Sequence, residues 1–357
     1  MIQTEMTRIL FIFALAILTD QMSVGQITEP VVENFTLVIH GGAGTILKKN
    51  MTAEKELAYK DKLKEALSAG HAILNNGGSS VDAVESAIMV MEDSPLFNAG
   101  KGAVFTNEGK NEMDASIMDG QTLEAGSVAM INTIKNPISA ARVVMEQSPH
   151  VMMVGEGAVK FAREHKIDLV DSSYFHDEKR YQQWQQIKGT IETQMDHSEE
   201  QIENTQDQFN AEFKEPIDEK FGTVGAVALD KNGNIAAGTS TGGMTNKMYG
   251  RVGDSPVIGA GTYANNATCG VSSTGHGEYF IRAVVAYDIA AIMEYKGVSL
   301  QEAANEVIHN KLPKLGGAGG IISVDKDGNF ALTFNTEGMY RGSVREDGVL
   351  KVSVYKD

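Results

Sequence analysis

The stretch Gly222-Thr223-Val224-Gly225-Ala226-Val227-Ala228-Leu229-Asp230 puts a threonine directly after a glycine and at the head of an apolar run of strand length. Thr239-Ser240-Thr241-Gly242-Gly243, Arg251-Val252-Gly253-Asp254-Ser255-Pro256 and Thr274-Gly275-His276-Gly277-Glu278 follow, so four clusters of hydroxyl, glycine and charged residues fall within about sixty positions. A Gly-Thr pair that merely opens a buried strand is ordinary. The three later clusters are what give the threonine a possible chemical setting.

A threonine hydroxyl is a weak nucleophile until a base takes its proton, and a free α-amine on the same residue can be that base. Such an amine titrates at about 7.7–8.0, so a useful fraction is unprotonated at neutral pH. Thr223 is internal to the chain, and the chemistry therefore requires the chain to cut itself between Gly222 and Thr223. Glycine before the nucleophile suits that cut, because the missing Cβ permits a strained peptide and lets the hydroxyl approach its carbonyl.

The chain resembles the plant-type asparaginase and isoaspartyl peptidase family. The likeness runs from His40-Gly41-Gly42-Ala43-Gly44 through Asn98-Ala99-Gly100-Lys101-Gly102 and Glu112-Met113-Asp114-Ala115-Ser116-Ile117-Met118 to Tyr279-Phe280-Ile281-Arg282. Residues 1 to 34 and about 172 to 220 lie outside it. The resemblance implies an α+β fold, the four-layer αββα sandwich of the N-terminal nucleophile (Ntn) hydrolases. It implies a precursor cut at Gly222-Thr223 into an α chain (26–222, with a flexible linker from about 172) and a β chain (223–357), assembled as a dimer of αβ heterodimers. Thr223 would be nucleophile and N-terminal base, with Thr241 hydrogen-bonded to it and Asn98 supporting it. Arg251 would hold a substrate α-carboxylate, Asp254 its α-ammonium, Thr274 and Gly275 the oxyanion, and Gly277 would line the substrate site. The implied substrates are β-aspartyl dipeptides and L-asparagine. No organic cofactor is implied, but a structural sodium ion is, on the backbone carbonyls of Met91, Glu92, Ser94, Phe97, Ala99 and Lys101; Lys101 puts a positive charge where an apolar residue is common among relatives.

The charged pair makes sense without the family. Arginine offers a planar fork for a carboxylate, aspartate accepts from an ammonium, and together they read a free amino-acid head group. A substrate with both groups free is an aspartyl unit joined through its side chain. The alternative is an ion pair between Arg251 and Asp254 themselves, three residues apart. Gly253 between them and Ser255-Pro256 after them favour a shaped loop over a helix face. A hydroxyl and a backbone N–H aimed at a developing oxyanion are worth a few kcal/mol of barrier.

The chain has 357 residues, 42% of them hydrophobic, ample for a large core. Its formal charge of -16 argues against nucleic acid or an anionic membrane as partner. Arg8, the apolar run Ile9 to Leu18 and the small or polar residues Ser23-Val24-Gly25-Gln26 read as a secretory signal cut near Gly25, so a periplasmic or secreted enzyme is expected, free of the membrane once the signal is removed. The one cysteine, Cys269, permits no intrachain disulfide and reads as buried filler. The eight histidines show no metal-ligand spacing, so no transition metal is expected. Sequons stand at Asn34, Asn50 and Asn266.

The first half alternates strands and helices. A strand is expected over Thr36 to His40, with the glycines after it as a tight turn under the active site. Helices are expected on Leu63, Ala66, Leu67, Gly70 and Leu74, and on Val81, Val84, Ile88 and Met91 behind a Ser79-x-x-Asp82 cap. Strands near 112–118 and 124–131 and helices near 137–146 and 155–165 follow. From Ser172 to Lys220 the composition turns polar around the single Trp184, reading as a helical start that decays into a linker. The second half carries hairpin signals at Asn232-Gly233, Asp327-Gly328 and Asp347-Gly348. Two helices lie between them: Glu278 to Tyr295, with Phe280, Val284, Ile289 and Ile292 inward, and Leu300 to His309 behind a Ser299-x-x-Glu302 capping box.

Two other functions compete. A glycosylasparaginase shares the threonine, the Arg251 and Asp254 pair and secretion, but typically has Asn and Asp where this chain has His276 and Glu278. A catalytically idle exported binding protein on the same scaffold would have no need of an intact Gly222-Thr223 and its surrounding residues.

Overall fold

The computed structural model describes residues 34–189 and 222–356. The expected signal segment and positions 190–221 of the expected linker lie outside the described residues. In chain order the elements are β1 (Thr36–Gly44), α1 (Ala53–Asn75), α2 (Ser80–Glu92), β2 (Met113–Asp119), β3 (Ala125–Ile131), α3 (Pro137–Gln147), β4 (Met152–Val154), α4 (Gly155–Glu164) and α5 (Glu178–Ile187). After position 222 come β5 (Val224–Leu229), β6 (Ile235–Thr241), β7 (Thr262–Ala264), β8 (Cys269–Gly275), α6 (Gly277–Ala283), α7 (Val285–Lys296), α8 (Leu300–Asn305), β9 (Gly319–Asp325), β10 (Phe330–Phe334), β11 (Gly338–Arg345) and β12 (Lys351–Tyr355).

The strands form an eight-stranded sheet in the order β12-β11-β1-β5-β6-β2-β3-β4 and a four-stranded sheet in the order β10-β9-β8-β7. Strand β5 explains why its sequence is apolar throughout rather than alternating. Val224, Ala226 and Ala228 face one way and pack with Leu63, Leu67, Val84 and Ile88 of α1 and α2. Val227 and Leu229 face the other way and meet Ala264, Ile322 and Val324 of the small sheet. A strand buried on both faces needs apolar side chains at every position. Phe280, Ile289, Leu300 and Val307 cover the outer face of the small sheet against Val271 and Ile321. Helix, sheet, sheet and helix are thus the four layers, the sandwich expected.

The start signals work as the sequence suggests. Ser79 Oγ accepts from Asp82 N at the head of α2, and Ser299 with Glu302 makes a full capping box on α8. Leu63, Ala66, Leu67, Gly70 and Leu74 are all buried along α1. The hairpin glycines Gly233, Gly328 and Gly348 adopt φ of 80°, 78° and 68°, the left-handed values such turns demand.

Three readings need correction. Val284 does not face inward. It sits at φ 50°, closes α6 and is 43% exposed, because the first turn of α7 starts afresh: Ala286 and Tyr287 donate their N–H groups to the carbonyls of Ala260 and Gly259. The residues after His40 are not a tight turn but the continuation of β1, which runs to Gly44 with a bulge between His40 and Gly42. The linker does not begin at 172: the helical start read there is α5, which Asp177 caps and which buries Arg180, Trp184 and Ile187; Trp184 stacks on Phe105 at 6.0 Å between ring centroids.

Candidate active site

Strand β5 begins one residue after Thr223, in the middle of the large sheet, with β1 on one side and β6 on the other. Being at the strand entrance fixes the threonine backbone while its side chain stays at the mouth of a cleft of about 400 Å³. Gly222, Thr223, Thr241, Gly243, Arg251, Gly253, Asp254, Thr274 and Gly275 all line that cleft, so residues from every one of the four sequence clusters meet there.

Thr223 Oγ1 donates to Thr241 Oγ1 at 3.1 Å, and Thr241 Oγ1 also accepts from Gly243 N at 3.0 Å. Asn98 fixes the turn that aims that N–H. Its Nδ2 donates to Gly243 O at 2.7 Å, its Oδ1 accepts from Val104 N, and its carbonyl accepts from Gly242 N. Asn98 therefore reaches Thr223 only through Gly243 and Thr241.

Two buried polar atoms in the cleft have no hydrogen-bond partner: Thr274 Oγ1 and Asp254 Oδ2. Leaving such atoms unpaired costs roughly 1–3 kcal/mol each, which a ligand offering a carbonyl oxygen and an ammonium would recover. Burial raises the Asp254 carboxyl to about 7, against the pull of the Arg251 guanidinium. Gly277 keeps this corner open, since a Cβ there would stand 2.9 Å from both Arg251 Nη2 and Asp254 Oδ1.

Arg251 does not pair with Asp254. Its Nε and Nη2 each lie 2.9 Å from one oxygen of Glu278. Burial tends to raise the Glu278 carboxyl, yet the hydrogen bonds and charge of Arg251 outweigh it and hold the group below its usual range. With that edge of the guanidinium occupied, the remaining Nη1 edge faces Gly253, where a Cβ would come within 2.9 Å. No local pattern announces the Arg251–Glu278 pair, whose members are 27 residues apart.

A second residue missed by the sequence reading is His40. Its Nδ1 lies 3.0 Å from Thr223 O and its Nε2 3.0 Å from Ser272 Oγ. Burial lowers its pKa to about 3, so the ring is neutral. A carbonyl only accepts, hence Nδ1 carries the proton and Nε2 must accept from Ser272. That assignment propagates: Thr239 donates to Ser272 at 2.7 Å, Thr262 donates to Thr239 at 2.6 Å, and Ser116 links Thr262 with Ser255 O at 2.8 and 2.6 Å. A run of buried hydroxyls thus reaches from the Thr223 carbonyl toward the Ser255 carbonyl, its last link shared because Ser116 has one proton for both Thr262 Oγ1 and Ser255 O. Gly225 makes room for it, because a Cβ there would stand 2.0 Å from Ser272 Oγ and 2.4 Å from His40 Nε2. A histidine inside an otherwise apolar strand was the available signal.

The loop proposed for sodium closes on itself through Gly100 and Gly102. A Cβ at Gly100 would lie 2.4 Å from the Glu92 carbonyl oxygen, and one at Gly102 2.0 Å from that of Phe97. The Met91 carbonyl accepts from Ser94 N and Asp93 N, and the Ala99 carbonyl from Gly102 N. The Lys101 side chain is exposed, and its Nζ lies 5.3 Å over the Tyr174 ring, so its charge is held by an aromatic face. Glu92, pushed up to about 8 by burial, anchors the loop by accepting from Ser240 Oγ and Ile138 N. Cys269 is buried on β8, its thiol pushed up to about 12 by burial, in keeping with filler.

Comparison with known proteins adds to this geometry. A family profile described as asparaginase matches residues 33–354. The isoaspartyl peptidase of Escherichia coli (strain K12) is 52% identical over 307 residues, which cover 85% of this chain and 91% of that protein. The putative isoaspartyl peptidase/L-asparaginase of Dictyostelium discoideum is 48% identical over 90% of this chain and 98% of its own length. The plant-type L-asparaginase of Pyrococcus abyssi is 44% identical over 87% and 96%.

Proposed function

Because the chain belongs to the asparaginase family, we propose that it is an isoaspartyl peptidase that also hydrolyses L-asparagine, acting through a Thr223 amine freed by autoproteolysis after Gly222. The observation that carries this reading is the meeting, in one cleft, of a threonine at a strand entrance with two unpartnered buried atoms, Thr274 Oγ1 and Asp254 Oδ2. In the precursor the Thr223 hydroxyl attacks the Gly222 carbonyl, and hydrolysis of the resulting ester leaves Thr223 with a free amine.

In the mature enzyme that amine takes the hydroxyl proton while Thr241, aligned by Gly243 and Asn98, holds Oγ1 in place. Oγ1 attacks the side-chain carbonyl of the aspartyl unit. The charge that develops on its oxygen meets the Thr274 hydroxyl and the Gly275 N–H. The departing amine takes a proton, and water then releases aspartate from the ester. Asp254 accepts the substrate ammonium, and the free edge of Arg251 takes its carboxylate.

The loop of Met91, Glu92, Ser94, Phe97, Ala99 and Lys101 suits a structural sodium ion, whose contribution would be to stiffen the segment carrying Asn98. Arg8 and the apolar run Ile9 to Leu18 support export to the periplasm or beyond. Among the described residues no helix is long and apolar enough to cross a membrane.

Side-by-side kinetics on β-Asp-Leu, L-asparagine and N-glycosylated asparagine test the assignment. The dipeptide is expected to show the highest kcat/KM and the glycosylated substrate the lowest. A dominant rate on the glycosylated substrate would move the protein to glycosylasparaginase, and no rate on any of the three would leave an idle scaffold.

A further inference from the structure

A second cavity, of about 540 Å³, lies against the first across Gly275. Its walls are the end of β1 (Ala43 and Gly44) with Thr45, then Ala318, and the turn Asn335-Thr336-Glu337 between β10 and β11. Among the described residues, Gly275 is the one that lines both cavities. That position decides what the second one can receive. On the peptidase reading above, an aspartyl head group on Arg251 and Asp254 brings its side-chain carbonyl to Thr274 and Gly275, and the amide nitrogen leaves on the side away from the head group.

The polar groups of the second cavity are mostly spent on its own walls. Asn335 Oδ1 accepts from Gly319 N at 2.8 Å, its Nδ2 donates to Ile308 O and Gly317 O at 3.2 Å, and Thr336 Oγ1 donates to Gly338 O at 3.0 Å. Glu337 is exposed, its carbonyl pinned by Lys356 N, and among the described residues it is the one ionisable side chain lining the cavity.

The geometry points to this cavity as the subsite for the leaving amino acid, with Glu337 selecting leaving residues that carry a cationic side chain over those that carry an acidic one. The inference rests on the peptidase reading above. β-Asp-Lys, β-Asp-Leu and β-Asp-Glu share the same head group and the same leaving α-carboxylate, so comparing them isolates the side-chain charge. Asparagine releases only ammonia, which is too small to occupy the cavity, and serves as reference.

The test measures kcat/KM for the three dipeptides, each divided by that for asparagine, in the wild type, Glu337→Gln and Glu337→Lys, at low and high salt. In the wild type β-Asp-Lys should exceed β-Asp-Glu by roughly five- to tenfold at low salt, the sum of one exposed attraction and one exposed repulsion, and the gap should narrow at high salt. Glu337→Gln should close the gap to within about twofold, and Glu337→Lys should reverse its sign. An unchanged ratio in both variants would overturn the assignment of Glu337. Good turnover of asparagine with none of the dipeptides would overturn the subsite and leave the asparaginase reading standing. Failure of the processed wild type on all four substrates would overturn both.

Discussion

Arg251 and Glu278 form a two-point ion pair, with Nε and Nη2 each 2.9 Å from a carboxylate oxygen, while Asp254, three residues from Arg251, is left with an unpartnered oxygen. Glu278 therefore holds the guanidinium at one edge, and on the proposed reading the other edge is left for a substrate carboxylate, with the arginine oriented before the substrate arrives. Glu278→Ala should raise KM roughly five- to tenfold while kcat stays within about twofold, since the lost element is preorganisation rather than a contact to the reacting bond. Steady-state kinetics on β-Asp-Leu separate the two parameters, and a fall confined to kcat would contradict this role.

Truncating the head-group readers should cost more. Arg251→Ala and Asp254→Ala are each expected to lose at least about 2 kcal/mol of transition-state binding, roughly thirtyfold in kcat/KM. N-acylated asparagine, lacking the ammonium, should be a poor substrate for the wild type. Equal turnover of acylated and free asparagine would refute the head-group assignment.

Acid should inhibit through two groups. The Asp254 carboxyl, raised to about 7 by burial, is neutral below that pH and cannot pair with an ammonium. The Thr223 amine, at about 7.7–8.0 if unperturbed, must be unprotonated to act as base. Log kcat/KM should therefore climb with a slope approaching two at pH 5–6 and flatten above pH 8, the two apparent values belonging to the coupled pair. Asp254→Asn should reduce the acid slope to one, and Arg251→Gln should move the limb to higher pH, because the guanidinium lowers the Asp254 value. A flat profile from pH 5 to 8 would be incompatible with both assignments.

Maturation should depend on Thr223 and on the hydroxyl chain behind it. Mass spectrometry of protein held at neutral pH is expected to find a fragment beginning at Thr223, and Thr223→Ala should remain one chain. Gly225→Ala would place a Cβ 2.0 Å from Ser272 Oγ, displacing Ser272 or His40, and should slow processing by at least about tenfold, as expected when a reacting group is misplaced by about 1 Å. Ser272→Ala leaves His40 Nε2 an unpaired buried acceptor and should cost roughly 1–3 kcal/mol of stability, read as a lower Tm. Normal processing and Tm in both variants would remove the hydroxyl chain from the account.

Much of this site was readable because its members carry unusual chemistry in short clusters: Gly222-Thr223, Thr241, Arg251 and Asp254, Thr274 and Gly275 all line the same cleft. The helix and hairpin signals were readable because they are local, as with Ser79 and Asp82 or Gly233. What escaped was non-local. Glu278 reaches Arg251 only after the chain has run through β7 and β8, and His40 meets Thr223 across 183 residues. Val284 misled for another reason. Its place in a helical period says inward, but a single left-handed residue resets the phase of everything after it.

The order of the large sheet gives the proposed cut a kinetic meaning. Strands β12 and β11, then β5 and β6, come from after Thr223, whereas β1 and then β2, β3 and β4 come from before it. The two segments are therefore interleaved, joined along the seams β11/β1, β1/β5 and β6/β2. Before the cut, folding is a one-chain process whose rate does not depend on concentration. After it, the same sheet can be rebuilt only by an encounter of two chains, neither of which holds a contiguous half of it. Once processed and unfolded, the enzyme should recover in a concentration-dependent manner or not at all, while the uncut Thr223→Ala chain refolds alone; its working lifetime would then be set by its rate of unfolding rather than by an equilibrium.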